Sequence, residues 1–410
     1  MKIKDIGNVV TGKTPQTAHA EFYGGDYMFI TPTELHGGYK ISSSEKTLTE
    51  AGLESIKTNS IDGISVLVGC IGWDMGNVAM CFEKCATNQQ INSITQISED
   101  YSPYFLYYWL STKKEYLFSI SSVTRTPILS KGVFEEIEIP SISRSEQDKI
   151  AKVLLVLDKK IKLNSEVNDN LAQQLRLLYD YWFTQFDFPD ESGNPYRSSG
   201  GQMVWNNGLK RKIPESWCVV PLGEVSSFRN GINYDKNTTG DTTYHIVNVR
   251  NISSSSILLD ERELDEICLP CTQAEKYLVS NESILIARSG IPGAPRILYN
   301  PSKDIIFCGF IICATPIDSI LQHYLMLFLK QLEGSTATQT GGSILKNVSQ
   351  DTLRDLLVPI PSKDILTQFN QRVALIYEFM HNNLEETSKL QHLRDWLLPM
   401  LMNGQATISD

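Results

Sequence analysis

The 410-residue chain lacks any apolar run near the ~18 residues that a membrane-crossing helix needs. Met1 to Ile6 carry no apolar core followed by a small-residue cleavage site, so neither an anchor nor a secretory leader is expected. The eight cysteines show no framework spacing and read as reduced thiols of a cytoplasmic protein. Positive charge is also scarce. Thirty-seven Lys and Arg stand against 47 Asp and Glu, a net charge of −10. That excludes a broadly basic nucleic-acid surface, because neutralising phosphates takes positive charge. Cations for such a purpose must be local to a few loops or supplied by partner subunits. A GxSxG nucleophile elbow is missing, as are a glycine-rich dinucleotide or S-adenosylmethionine loop and a carboxylate–lysine nuclease string on strands. No complete catalytic constellation is found.

What is present is one unit written twice. The strand-like run Glu136 to Ile139 ends at Pro140, and a polar stretch leads into a helix. Leu356 to Ile360 ends at Pro361 in the same way. At a constant offset of about 220 residues, Ile150 falls on Phe369, Leu154 on Val373, Leu157 on Ile376 and Ile161 on Met380. Asn164 then falls on Asn383, Leu171 on Leu390 and Trp182 on Leu401. Steps of four and three are coiled-coil spacing. Two helices of about forty residues, ~60 Å each at 1.5 Å per residue, are predicted to pair antiparallel. The first starts at a Ser143-x-x-Glu146 capping box and the second stops near Gly404. Asn164 and Asn383 sit on the seam, where a polar residue either sets register or is solvated.

Each helix follows a mixed α/β region. In the first, strand-like runs (Tyr27 to Thr31, Ser65 to Val68, Gln90 to Ile97) precede an aromatic helix over Pro103 to Leu117. Its periodic Tyr104, Tyr107, Tyr108, Trp109 and Leu110 face a core or form a stacking platform. The second region repeats the first: Ile6-Gly7 aligns with Leu222-Gly223, Tyr27 to Leu35 with Tyr244 to Ile252, Ser65 to Val68 with Ser283 to Ile286, and Ile128-Leu129 with Ile344-Leu345. Between the halves, Phe183 to Trp217 is a linker by its Gly, Pro, Asn and Ser content, with Phe186, Phe188, Tyr196, Trp205 and Trp217 expected to pack on the helix end. The fold class is therefore α+β: two mixed α/β domains related by a pseudo-twofold and separated by two long antiparallel helices. The expected divisions are 1–142, helix 143–185, linker 186–217, 218–361 and helix 362–404.

Three motifs invite chemistry. Gly7 to Thr14 matches the GxxxxGK[ST] phosphate-loop string, but only six residues precede it and Pro15 follows where a helix should continue. It reads better as a polar loop displaying Lys13 and Thr14. Cys268-Leu-Pro-Cys271 lacks the second ligand pair of a zinc site. Gly193-Asn-Pro-Tyr196 lacks the second proline of an amino-methyltransferase loop. The remaining candidates are loop cations for DNA contact: Lys13, Arg125 and Lys131 in the first region, and Arg229, Arg250, Arg288, Arg296 and Lys346 in the second. An arginine fork can read guanine through two hydrogen bonds, and each cation can equally be a solvated charge.

Taken together these strings resemble the specificity subunits of type I restriction–modification systems. The resemblance rests on "GNVVTGKTP", "IEIPSISRSEQDKIAKVLLVLDKKI" and "LLYDYWFTQFDFP…GNPYRSSGG…IPESW" in the first copy. In the second it rests on "LGEVSSFRNGINY", "LLVPIPSKDILTQFN" and "LEETSKLQHLRDWLLPMLMNG". Pro140, Ser145, Glu146 and Gln147 carry the helix-start motif, from which Leu366-Thr367-Gln368 departs. The family implies two target-recognition domains, each reading one half of a bipartite site in double-stranded DNA. It implies helices that set the spacer and dock two methyltransferase subunits. It implies no reaction in this chain: S-adenosylmethionine, ATP and magnesium belong to partner modification and restriction subunits. Ile150, Leu154, Leu157, Asn164, Leu171, Phe369, Ile376, Asn383 and Leu390 are then the helix-pairing or docking set, part of it apolar surface that makes the isolated chain poorly soluble.

Overall fold

The structure is a computed structural model and describes residues 1–122, 126–234, 240–333 and 348–408. The fold is mixed α+β, with two β-rich regions and two long helices. The chain forms two compact units: Met1–Lys162 with Lys389–Asp410, and Leu163–Ser388. Among the described residues no helix is long and apolar enough to cross a membrane.

The first unit holds strands β1 (Asn8–Thr11), β2 (Tyr23–Ile30), β3 (Lys46–Leu48), β4 (Ser60–Ile61), β5 (Ser65–Gly69), β6 (Val78–Cys81), β7 (Cys85–Thr87) and β8 (Ile91–Thr95). One sheet has the order β1-β8-β5-β6, and all its neighbours are antiparallel. The other has the order β3-β2-β7-β4, with β2 and β7 parallel. Strand β5 is buried on both faces, which is why it reads as an unbroken apolar run. Its period of two sends Val66 and Val68 to a core shared with Phe105, Tyr108 and Trp109, and Leu67 to a second core with Ile30 and Ile61. The aromatic segment faces the core. It is two helices, Pro103–Ser111 and Lys114–Ser119, because the backbone turns at Thr112 and Lys113.

The strands of the second unit begin with a hairpin, β9 (Met203–Asn206) and β10 (Arg211–Pro214), followed by β11 (Cys218–Pro221). Its two larger sheets use β12 (Ser226–Asn230), β13 (Thr242–Val247), β14 (Asp265–Leu269), β15 (Ile284–Ala287), β16 (Pro295–Arg296), β17 (Ile305–Phe307) and β18 (Ile311–Pro316). The orders are β12-β18-β15-β16 and β14-β13-β17, with β13 and β17 parallel. The first of these repeats the first unit's order β1-β8-β5-β6, and the second repeats β3-β2-β7 without a counterpart of β4 among the described strands. β19 (Leu357–Ile360) then pairs with β11. Leu222 N–H donates to the Leu356 carbonyl, as Ile3 N–H does to Ile137, so both partners lie 219 residues further on. This corrects one alignment: the short helices Ile3–Ile6 and Leu222–Val225 match, placing Ile6 on Val225 and not on Leu222. Ile344-Leu345 lie outside the described residues.

The long helices are Arg144–Tyr179, continued by a wider turn over Asp180–Thr184, and Lys363–Met402. Ser143 Oγ accepts from Glu146 N–H at the first start. The second stops in a Schellman turn: Gly404 has φ +69°, its N–H meets the Leu401 carbonyl, and Gln405 N–H meets that of Met400. Within the first unit Ile150 and Leu154 are buried in the core, while Leu157 and Leu390 are half-buried. Within the second, Phe369 is fully buried, and Leu171 and Ile376 are half-buried against the core to which it belongs. Asn164 and Asn383 do not meet each other. Asn383 donates to Asn168 (2.9 Å), Asn168 to the Met380 carbonyl (3.1 Å), and Asn164 to Glu386 (2.8 Å). Phe186, Phe188 and Trp217 are buried in the second unit's core, whereas Trp205 is exposed.

Candidate nucleic-acid interface

In an antiparallel order β1-β8-β5-β6, the ends of β1 and β5 and the starts of β8 and β6 share one sheet edge. Three segments therefore converge there: Gly12 to Pro15, Asn88 to Gln90, and Cys70 to Asn77. Backbone bonds lock them. Gly12 N–H donates to Ile91, Lys13 N–H to Thr87, Cys70 N–H to Gln90, and Leu129 N–H to Cys70. The second unit repeats every one. Gly231 donates to Ile311, Ile232 to Phe307, Arg288 to Phe310, and Val348 to Arg288. One scaffold thus presents different side chains: Lys13 against Ile232, Cys70 against Arg288, Gln90 against Phe310.

The glycines are explained by this crossing. A Cβ at Gly12 would stand 2.2 Å from the Asn88 carbonyl oxygen, and one at Gly231 2.1 Å from that of Cys308. Gly12 allows a close chain approach and opens no helix, since residues 12–16 have no helical structure. The phosphate-loop match therefore lacks its helix N-terminus.

The expected contact residues divide by surroundings. Lys13 is exposed at this edge, and Thr14 hydroxyl donates to Gln89 (2.9 Å). Lys131 is exposed one turn from Glu135, at 3.5 Å. Arg250 is exposed and ion-paired with Asp265. Arg288 is half-buried; one guanidinium nitrogen donates to Gly309 (3.2 Å), and its Nε is inaccessible with no partner among the described residues. Arg229 is turned to structural use. It donates to the carbonyls of Lys276 (2.7 Å) and Leu278 and lies 5.4 Å over the Phe307 ring. Arg296 is not a surface cation: it is buried and held by Glu333 at 3.1 and 3.2 Å. Arg125 and Lys346 lie outside the described residues. At the position of Arg288, burial pushes the Cys70 thiol up to about 12, leaving a neutral filler.

The other motifs resolve as packing. Cys271 donates to Glu275, and Cys268 lies within hydrogen-bond reach of Thr243. Tyr196 stacks on Phe188 and donates to the Gln202 carbonyl. Gln89, Gln90, Trp73 and Phe310 are edge residues that sequence reading does not single out; a polar or aromatic residue just before a buried strand is a signal for Gln89, Gln90 and Phe310, and none points to Trp73.

Two copies of one loop-presenting scaffold define a two-module recognition protein. The family model described as the type I restriction modification DNA specificity domain matches residues 1–173 and again 214–392. The chain is 27% identical over 417 aligned residues to the specificity subunit of the type I restriction enzyme MjaIX of Methanocaldococcus jannaschii, spanning 100% of this chain and 93% of that protein. It is 33% identical to the HindI specificity subunit of Haemophilus influenzae over 43% of this chain and 39% of that one. The crystal structure of a type I restriction–modification S subunit from M. genitalium shares the fold, with TM-score 0.56 and 18% identity over 98% of this chain and 95% of that one. The chain belongs to the family of type I restriction–modification DNA specificity subunits, and its function is sequence-specific DNA recognition.

Proposed function

We propose that each unit reads one half of a bipartite, asymmetric DNA site in the cytoplasm. The observation that carries this is the repeated backbone lock with unlike side chains, because one scaffold with two residue sets suits two different half-sites. Lys13, Thr14 and Arg288 make contacts from the described edges; Lys131 and Arg250 supply further charge, Arg125 and Lys346, which lie outside the described residues, complete the contact set, and Arg229 positions its strand. Phosphate contacts fix register, and base-edge contacts specify. The long helices set the unread spacer and dock two modification subunits, which carry S-adenosylmethionine and methylate adenine. Restriction subunits with ATP and magnesium join that core, and this chain performs no reaction. Two copies of one partner need two equivalent surfaces. Exposed Val156 and Leu375 stand 219 residues apart, as do exposed Leu177 and Trp396, which suits that demand.

The test maps methylated adenine across the genome in cells with the neighbouring methyltransferase, with and without this chain. A split motif with a fixed gap, dependent on the chain and changed in one half by exchanging residues 1–140, is the expected result. Absence of any chain-dependent motif would reject the proposal in favour of a scaffold without DNA specificity.

A further inference from the structure

Large side chains left in water on a rigid edge gain nothing for folding, and each described reading edge carries one. In the second unit it is Phe310, 63% exposed. Its backbone cannot move easily. Cys308 N–H donates to Val247, Gly309 N–H to Ile232, Ile311 N–H to Cys308, and Arg288 N–H to the Phe310 carbonyl. The Arg288 guanidinium adds a bond to Gly309. A Cβ at Gly309 would meet Asn233 Oδ1 at 1.9 Å, so that turn accepts no bulkier residue without shifting it. The first unit has Gln90 at the matching position, half-buried and tied by Asn88 (2.9 Å). Its exposed ring is on the adjacent segment instead: Trp73, 83% exposed, with its one ring neighbour among the described residues, Phe118, at 6.5 Å between centroids. That segment is pinned as well, since Gly72 N–H donates to Pro127 and Gly76 N–H to Gly69. The second unit answers Trp73 with Ile291, half-buried.

We infer that Trp73 and Phe310 are base-contacting rings, one for each half-site, placed against a base or between two bases at an easily unstacked step. This rests on the bipartite reading above. A planar apolar ring on a pinned backbone has only two side-chain torsions to fix on binding, and it recognises a base face, a thymine methyl or a deformable step, which cations at the same edge cannot do. The two units then discriminate by ring placement as well as by charge: Lys13 lies at the same end of its sheet as Trp73, and Arg288 N–H bonds the Phe310 carbonyl.

The test uses the assembled methyltransferase complex with Trp73→Ala, Phe310→Ala, Trp73→Phe, Phe310→Tyr and, as control, Ile317→Ala. Ile317 is 73% exposed at the far end of β18, away from the reading edge. Chromosomal adenine methylation gives the motif, and duplexes carrying it with 2-aminopurine at successive positions report stacking. The expected result is about tenfold or greater weakening by each alanine variant. Each should relax one half of the motif, a different half for each, with a matching loss of the 2-aminopurine signal. The Phe, Tyr and Ile317 variants should stay within about twofold of the parent. Both rings are exposed, so the alanine variants should melt with the parent. Alanine variants that keep the parent motif and affinity, or that weaken both halves equally, overturn the inference. A parent complex with no split motif overturns the bipartite reading itself.

Discussion

The two units solve the same packing problem with different chemistry. In the first, Asp158 on the long helix accepts from Tyr108 (2.6 Å) and from Arg394 (2.9 Å). The positions 219 residues away are Tyr377 and Leu175, both fully buried in the second unit's apolar core. Gln147, completely buried, accepts from Ser102 N–H and donates to the carbonyls of Asp100 and Ile142. Its counterpart is Leu366, which packs in the core. Leu401 and Met402 in the first unit become Trp182 and Phe183 in the second. One backbone thus tolerates polar fasteners in one copy and aromatic filling in the other. The first depends on hydrogen-bond geometry, the second on volume.

The sharpest way to break this contrast is to remove volume. Phe369→Ala deletes a ring packed on Trp182 and Phe183 and should cost about 4 kcal/mol, against about 3 for Ile150→Ala at the matching position. Hydrogen exchange should show the loss confined to the second unit for Phe369 and to the first for Ile150. Equal effects on both units would mean that they do not open separately. Next, Asp158→Ala should destabilise the first unit by about 2 kcal/mol, because the Tyr108 hydroxyl loses its acceptor while Arg394 keeps Asp395 at 2.8 Å. The reciprocal change, Tyr377→Phe, removes a hydroxyl with no partner among the described residues and should be neutral or stabilising in thermal melts. A clear loss there would show that the hydroxyl is bonded.

Acid should also separate the units. Burial holds His323 down at about 4, with its Nδ1 unpaired among the described residues. The folded ring resists a proton that the unfolded ring accepts below about pH 6.5. Stability is full above that pH and falls as pH drops toward 4, by up to about 3 kcal/mol. The first unit has Tyr104 at this position. His323→Gln should flatten the acid profile of the second unit's exchange, and an unchanged profile would assign the acid loss elsewhere. The smallest effect is at the reading edge. Lys13→Ala should lower the salt slope of DNA binding by about one unit while leaving melting unchanged, whereas Ile232, buried at the equivalent site, should not affect the slope. A slope unmoved by Lys13→Ala would mean that the cation touches no phosphate.

The duplication and the long helices are legible in sequence because they repeat and are periodic. Ile150 and Leu154 on one helix, and Phe369, Val373 and Met380 on the other, recur at helical steps and are buried, because local periodicity determines which helix face is buried. The proposed reading edge is not legible in this way. It is assembled by β1, β5 and β8, which are distant in sequence, and only the strand order brings Lys13 beside Gln89. Buried and exposed arginines also look alike in a string. Arg296 owes its burial to Glu333, thirty-seven residues away, and Arg229 owes its role to the carbonyls of Lys276 and Leu278. The phosphate-loop string misleads for a related reason: Gly12 is small because Asn88 passes close, a fact held in the other strand. The departure at Leu366 was visible as a mismatch, but its meaning, an apolar contact in place of a three-bond amide, needs the core.

The division of the chain has a temporal side. The second unit is one uninterrupted stretch, 163–388, while the first joins residues 1–162 to 389–410, whose Leu401 and Met402 complete its core. Made from N- to C-terminus, the chain has all of the second unit's residues before the first can close. Residues 1–162 must wait through more than two hundred further residues with part of their apolar core uncovered, the state in which nascent chains aggregate or recruit chaperones. Protease pulses on chains stalled beyond residue 388 should find the second unit protected and the first still open; early protection of the first would show that its core closes without its last helix turns.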